Sequence, residues 1–174
     1  MLEMEKQCLF TSLNQGREAL GRALHGVHEE LAGRKPPNNG WSILECVEHC
    51  VISERYLLSR LRVAQHTDEP VAEREREAKI AARAANRARR IEAPPQSAPK
   101  GEFATLGEAL AAFDATRAET VFFLGQFSDD LRRWSTDHPL FQGPVTCYET
   151  VIMMAAHPGR HAEQILEIRE AVRR

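Results

Sequence analysis

Three times in this chain a hydroxyl residue is followed three positions later by glutamate, at the head of an apolar run. The pairs are Ser42 with Glu45, Thr105 with Glu108, and Thr146 with Glu149. Each is a capping box, in which the hydroxyl serves one orphan backbone amide of a helix start and the glutamate serves another. Trp41, just before the first box, can act as its hydrophobic staple. Three helix starts spread over 174 residues restrict the fold to helices packed on helices.

The apolar spacing supplies four helices in all. The first covers residues 2–31, with Leu9, Leu13, Leu20, Leu24, Val27 and Leu31 on one face, and ends at Gly33 and Pro36-Pro37. The second runs from Ser42 to about Ala64, with Leu44, Val47, Val51, Leu58 and Leu61 as core. The third runs from Thr105 to near Ser128 through Leu106, Leu110, Phe113, Val121, Leu124 and Phe127. The fourth starts at Thr146 and continues to the C-terminus through Ile152, Ile165 and Ile168. Pro158 falls inside it, where it removes a backbone donor and predicts a local bend. No stretch alternates as a strand does. The fold class predicted is all-α: a single-domain antiparallel four-helix bundle over residues 1–174, with a long connection between helices two and three.

That connection, residues 66–102, opens with a run rich in helix formers and ends in A-P-P-Q-S-A-P-K-G. Between Glu73 and Arg90 it holds seven basic and three acidic residues. Such a run is an anion- or nucleic-acid-binding patch or a solvated helix or mobile arm, and the second reading is the more ordinary one. Residues 66–100 are therefore expected to be at best partly helical and dispensable for metal binding.

Composition excludes several classes. The net charge of −2 gives no basic field for nucleic acid or anionic lipid. No apolar run approaches the roughly 20 residues of a membrane span, and the N-terminus does not read as a signal peptide. The four cysteines, Cys8, Cys46, Cys50 and Cys147, are expected to be reduced thiols, which predicts a cytoplasmic location.

The chemistry lies in the histidines. His157 and His161, four apart, stack on one helix face where they can share an ion. Such a pair alone is a weak signal. His49, on the flank of the second helix's apolar stripe, is a plausible third ligand once that helix faces the fourth. Three neutral imidazoles leave a dication its full charge and at least one open position, as in a reactive site. They suit zinc or nickel, and also iron or copper. Position 158 is proline, so no H-E-x-x-H is present and a zincin-type peptidase is disfavoured. Among the competitors, His25 and His28 sit in a polar setting and are expected in solvent. Cys46 and Cys50 flank His49 and are expected as small core residues. His66 and His138 carry no spacing signal. Glu48 and Glu45 are the local carboxylates that could orient His49 or act as a general base, and Glu45 is already explained by capping.

Two segments add a resemblance. W-S-I-L-E-C-V-E-H-C-V-I-S-E (41–54) and H-P-L-F-Q-G-P-V-T-C-Y-E-T-V-I-M-M-A-A-H-P-G-R-H-A-E-Q-I (138–165) resemble the DinB-like family. The specific part is a Trp-Ser start with a histidine eight residues after the tryptophan, and a late H-x-x-R-H-x-x-Q-I. The resemblance implies a divalent metal at one end of a four-helix bundle, held by His49, His157 and His161. It also implies a homodimer and a relation to bacillithiol- and mycothiol-dependent transferases. Pro158 and Gly159 depart from the charged residues expected between the late histidines, and the Arg-rich insert is atypical. The leading expectation is thus a metal-dependent enzyme that joins a small thiol to a small-molecule electrophile. The alternatives are a metal-dependent hydrolase and a non-catalytic metal-binding stress protein. In the thiol-transfer reading, Trp41, Tyr56 and Met153 or Met154 are candidate pocket walls, with ordinary core packing as the competing role.

Overall fold

The computed structural model describes residues 3–68, 74–88, 92–138, 141 and 143–172. Four long helices dominate: α1 (Glu3–Leu24), α3 (Ile43–Arg62), α5 (Leu106–Gln126) and α6 (Cys147–Ala171). Two shorter ones, α2 (Glu29–Gly33) and α4 (Arg74–Ala85), lie in the connections. Among the described residues no helix is long and apolar enough to cross a membrane.

All three capping boxes close in both directions. Ser42, Thr105 and Thr146 each accept from the amide of their glutamate, whose carboxylate accepts from the hydroxyl residue's own amide. Sequence and structure agree there because the box is local and needs no tertiary partner.

Two expectations fail. The first predicted helix is two helices. The chain leaves α1 after Leu24 and turns at Gly26, whose φ of +73° lies in the left-handed region that glycine enters without steric cost. The break lets Glu29 on α2 accept from the amides of Leu106 and Gly107 at 2.7 and 3.2 Å. A carboxylate there complements the positive end of α5. The second departure is a small antiparallel sheet of β1 (Gln65–His66), β2 (Trp134–Asp137) and β3 (Pro144–Thr146), with β2 in the middle. Strands of two to four residues are too short for alternation to register.

The predicted core is largely inside. Leu13, Leu20, Val47, Val51, Phe113 and Ile165 have no exposed surface. Val121 is the exception: it is 38 % exposed, next to the still more exposed Phe122.

At the centre lies an ion pair that apolar periodicity could not reveal. Arg117 of α5 donates through Nε and Nη2 to the two carboxylate oxygens of Glu54 on α3, at 2.6 and 2.7 Å. Its Nη1 also donates to the Leu13 carbonyl of α1, and its Nη2 to the Met154 carbonyl of α6. Thr120 donates to Glu54 as well. The Met154 carbonyl is available because Pro158, four residues later, has no N–H to offer it. The helix therefore runs unbroken through Pro158. Close by, Gly16 of α1 lets α1 and α6 touch: a Cβ at this position would come within 2.2 Å of the Ala155 carbonyl oxygen.

Removing Arg117 would strand a buried carboxylate and the Met154 carbonyl. Arg117→Ala is expected to destabilise the metal-free protein by about 3–5 kcal/mol, read from urea denaturation monitored by circular dichroism. A loss below about 1 kcal/mol would contradict this role for the pair.

Candidate metal centre

His49 sits two turns into α3, and His157 and His161 sit one turn apart on α6. The packing of α3 on α6 brings the three rings together, with centroids 4.5–4.9 Å apart and edges turned to faces. One ligand atom from each lies within 4.8 Å of the others. Nε2 of His157 is 3.1 Å from Nε2 of His49 and 3.0 Å from Nε2 of His161.

The outward nitrogens fix which side of each ring is free. Nδ1 of His49 is 2.6 Å from the Ser97 carbonyl oxygen, and Nδ1 of His161 is 3.0 Å from Oε1 of Gln164. Both partners only accept, so both Nδ1 atoms carry the proton. Both Nε2 atoms then present lone pairs toward His157. A proton on His157 Nε2 can satisfy only one of them, so at least one of the two lone pairs receives no proton from that ring. A cation between the rings removes that deficit. Metal–nitrogen bonds of about 2.0–2.1 Å place neighbouring ligand nitrogens roughly 2.9–3.4 Å apart, and the observed 3.0 and 3.1 Å fall in that range. Burial drives all three imidazoles below their ordinary pKa, with the Arg160 charge adding to the effect. They are therefore neutral at pH 7, the state that can bind a metal. The residues present fit a divalent ion.

A cavity of about 770 Å³ opens beside the triad. Trp41 packs on His49 and His161, with ring centroids at 4.8 and 6.2 Å. Tyr56 and Met153 also line the cavity, as anticipated, whereas Met154 belongs to the core. His138, which no spacing singled out, lines the cavity too, and burial pushes its pKa down to about 4.

The other sequence candidates lie elsewhere. His25 and His28 are exposed. His66 packs edge-on to Trp134 in the sheet. Cys46 and Cys50 are buried in the core, where burial raises both thiols, Cys46 to about 12. Glu45 caps α3 and pairs with Lys35. Glu48, considered above as a general base, does not line the cavity. One of its oxygens accepts from the amides of Lys100, Gly101 and Glu102 at 2.6, 2.8 and 3.1 Å.

That contact changes the reading of the insert. Residues 66–100 were expected to be dispensable, yet Glu48 holds the end of the Pro-rich segment and Ser97 in that segment orients His49. Upstream, α4 is docked. Its Ile80 is 3 % exposed, Glu77 pairs with the buried Arg132 at 2.6 Å, and Arg76 pairs with Glu149 at 3.2 Å. The sequence carried one signal of this docking, an isoleucine within an Ala- and Arg-rich helix. A single apolar residue is too little to predict a face. Basic residues of the insert, Arg83 and Arg87, line the cavity.

Glu48→Ala should free residues 97–102 from α3. Amide hydrogen exchange there is expected to rise by at least about tenfold, as the loss of hydrogen bonds to a charged acceptor implies. Unchanged exchange would show that the segment is held by something else.

A family model described as the DinB superfamily matches residues 12–165, a span that contains all three histidines. An uncharacterized protein of Bacillus subtilis strain 168, YuaE, is 24 % identical over 165 residues, covering 92 % of this chain and 97 % of its own. No solved structure matches significantly. The family match covers most of the chain, which therefore belongs to the DinB superfamily.

Proposed function

We propose that this protein binds one divalent ion through His49, His157 and His161 and joins a low-mass thiol to an electrophilic small molecule. The observation that carries the reading is the convergence of imidazole nitrogens whose outward nitrogens at His49 and His161 are tied to Ser97 and Gln164, beside an open cavity. Among the described residues the group supplies three protein ligands, which leaves room for an exogenous one. Zinc or nickel suits three imidazoles, as do iron and copper.

When bound, a dication would supply stabilisation of the thiolate form of a small thiol, which at neutral pH is otherwise mostly protonated. The rest is done by the chain. Neutral imidazoles leave the charge of the site uncompensated, and the Ser97 carbonyl and the Gln164 amide hold their rings in register. Trp41, Tyr56 and Met153 form a wall along which an electrophile can approach the sulfur. In the transfer a sulfur–carbon bond forms as the acceptor's leaving group departs, and the thiol proton is released to solvent. No protein nucleophile is required. The hydrolytic alternative is weakened because the base that the sequence offers beside His49, Glu48, accepts from three backbone amides and does not line the cavity. The non-catalytic alternative would be favoured by a protein side chain closing the site, and among the described residues no fourth ligand joins the group.

We retain a homodimer and a cytoplasmic location as parts of this proposal. Exposed Val121 and Phe122 on α5 offer apolar surface for the first. The thiols of Cys46, Cys50 and Cys147, packed in the core, suit a reducing compartment for the second.

Cobalt-substituted protein tests the proposal. The His157→Ala, His161→Ala double variant is expected to lose most of its metal while keeping its helicity. Because the folded imidazoles have lowered pKa values, protons compete poorly, so the wild type should hold its metal as pH falls below 6.5, the ordinary histidine value. Bacillithiol, mycothiol, glutathione, cysteine or coenzyme A should produce a sulfur-to-cobalt band in the near ultraviolet. Full occupancy in the double variant would overturn the site, and absence of the band with all five thiols would overturn the thiol reading.

A further inference from the structure

The metal chemistry makes no use of the arginines that the insert brings to the cavity. Arg83, near the end of α4, and Arg87, two residues past it, line it together, with Arg160 joining from α6. Glu92 and Glu167 also line it, so the ring of charges stays net positive before any metal is added. Arg83 lies over the Phe141 ring at 5.3 Å and has no carboxylate partner among the described residues. Arg87 donates to Glu167 at 2.9 Å, and its side chain is 19 % exposed. Its Nε is buried with no hydrogen-bond partner among the described residues.

These charges are held where they are. Ile80, Glu77 and Arg76 fasten α4 against α6 and its surroundings, which sets the exposed Arg83 and, just past the helix end, the half-buried Arg87 at the cavity. Leu57, Ile80, Ala84 and Met153 give the cavity apolar lining. The half-buried Arg87 keeps one donor, its Nε, without a partner among the described residues, and an anion in the cavity can accept from it while facing the Arg83 charge. The guanidinium fork matches carboxylate and phosphate oxygens in pairs.

We propose that the cavity takes a small molecule with an apolar body and an oxyanion head group, carboxylate or phosphate, the head group being held by Arg83 and Arg87. The body then lies toward His49, His157 and His161. The inference rests on reading this cavity as the substrate site, and it narrows that substrate to an anionic, part-apolar compound. It gives the atypical insert a role, since α4 supplies Arg83 and the residues just after it supply Arg87.

Two fluorescent probes with the same aromatic body test it: anilinonaphthalene sulfonate, which is anionic, and N-phenylnaphthylamine, which is neutral. Both are titrated into the full chain, metal-free and metal-loaded. In Arg83→Gln, Arg87→Gln the sulfonate is expected to bind at least about tenfold more weakly, with the neutral probe unchanged. Arg83→Lys, Arg87→Lys should restore part of the affinity. Phenylacetate and benzylphosphonate then compete with the sulfonate, and whichever displaces it identifies the head group. Equal effects on both probes, no effect on either, or displacement by neither competitor would overturn the proposal. The metal-free titration does not involve thiol binding, so anion selectivity there with no sulfur-to-cobalt band would leave this inference standing and remove the thiol reading. The reverse pattern would remove this inference alone.

Discussion

One guanidinium holds the four long helices in register. Arg117 belongs to α5 and touches Glu54 of α3, the Leu13 carbonyl of α1 and the Met154 carbonyl of α6. A buried charge is costly to desolvate, and a buried ion pair is weak ground for claiming net stability. Its value here is geometric. Apolar side chains tolerate sliding and rotation of one helix on another, whereas a bidentate pair with further carbonyl partners tolerates neither. The histidines depend on that restriction, because His49 stands one and a half turns from Glu54 on α3, and His157 stands one turn from Met154 on α6. A slip of one helix that the core could absorb would separate the Nε2 atoms.

The same region explains two residues that look unfavourable in isolation. Pro158 lies between the late histidines and leaves a carbonyl of α6 without its usual donor. Arg117 fills the vacancy. Gly16 costs α1 some helix propensity, and in return α1 approaches the Ala155 carbonyl more closely than any side chain would permit. The departure of Pro158 and Gly159 from the charged residues expected there is thus accommodated without breaking the helix.

Local signals carried most of what could be read in advance. The capping boxes at Ser42, Thr105 and Thr146 marked helix starts to within a residue, because each is complete within four positions. The spacing of His157 and His161 placed them on one face, and the convergence of His49 followed once α3 packed on α6. What escaped was long-range. Nothing near Glu54 or Arg117 announces that they pair across 63 positions. The amide partners of Glu48 escaped notice because they lie at 100–102, in a segment whose proline content reads as a free linker. The docking of α4 was hidden by its composition: the charges that suggested a solvated arm are in part the ion pairs that fasten it, Glu77 to Arg132 and Arg76 to Glu149. His138 reached the cavity wall through loop geometry that leaves no periodic trace.

The central claim is that the interlocked bundle delivers three imidazole nitrogens to one ion. X-ray absorption spectroscopy of the zinc-loaded protein addresses it most directly, because scattering distances and imidazole ring patterns report the ligands themselves. The account predicts three imidazole nitrogens at about 2.0–2.1 Å, with the remaining coordination from light atoms of solvent or buffer. A sulfur shell at about 2.3 Å, which would bring Cys46 or Cys50 into the site, or a fit with fewer than three imidazoles, would contradict it.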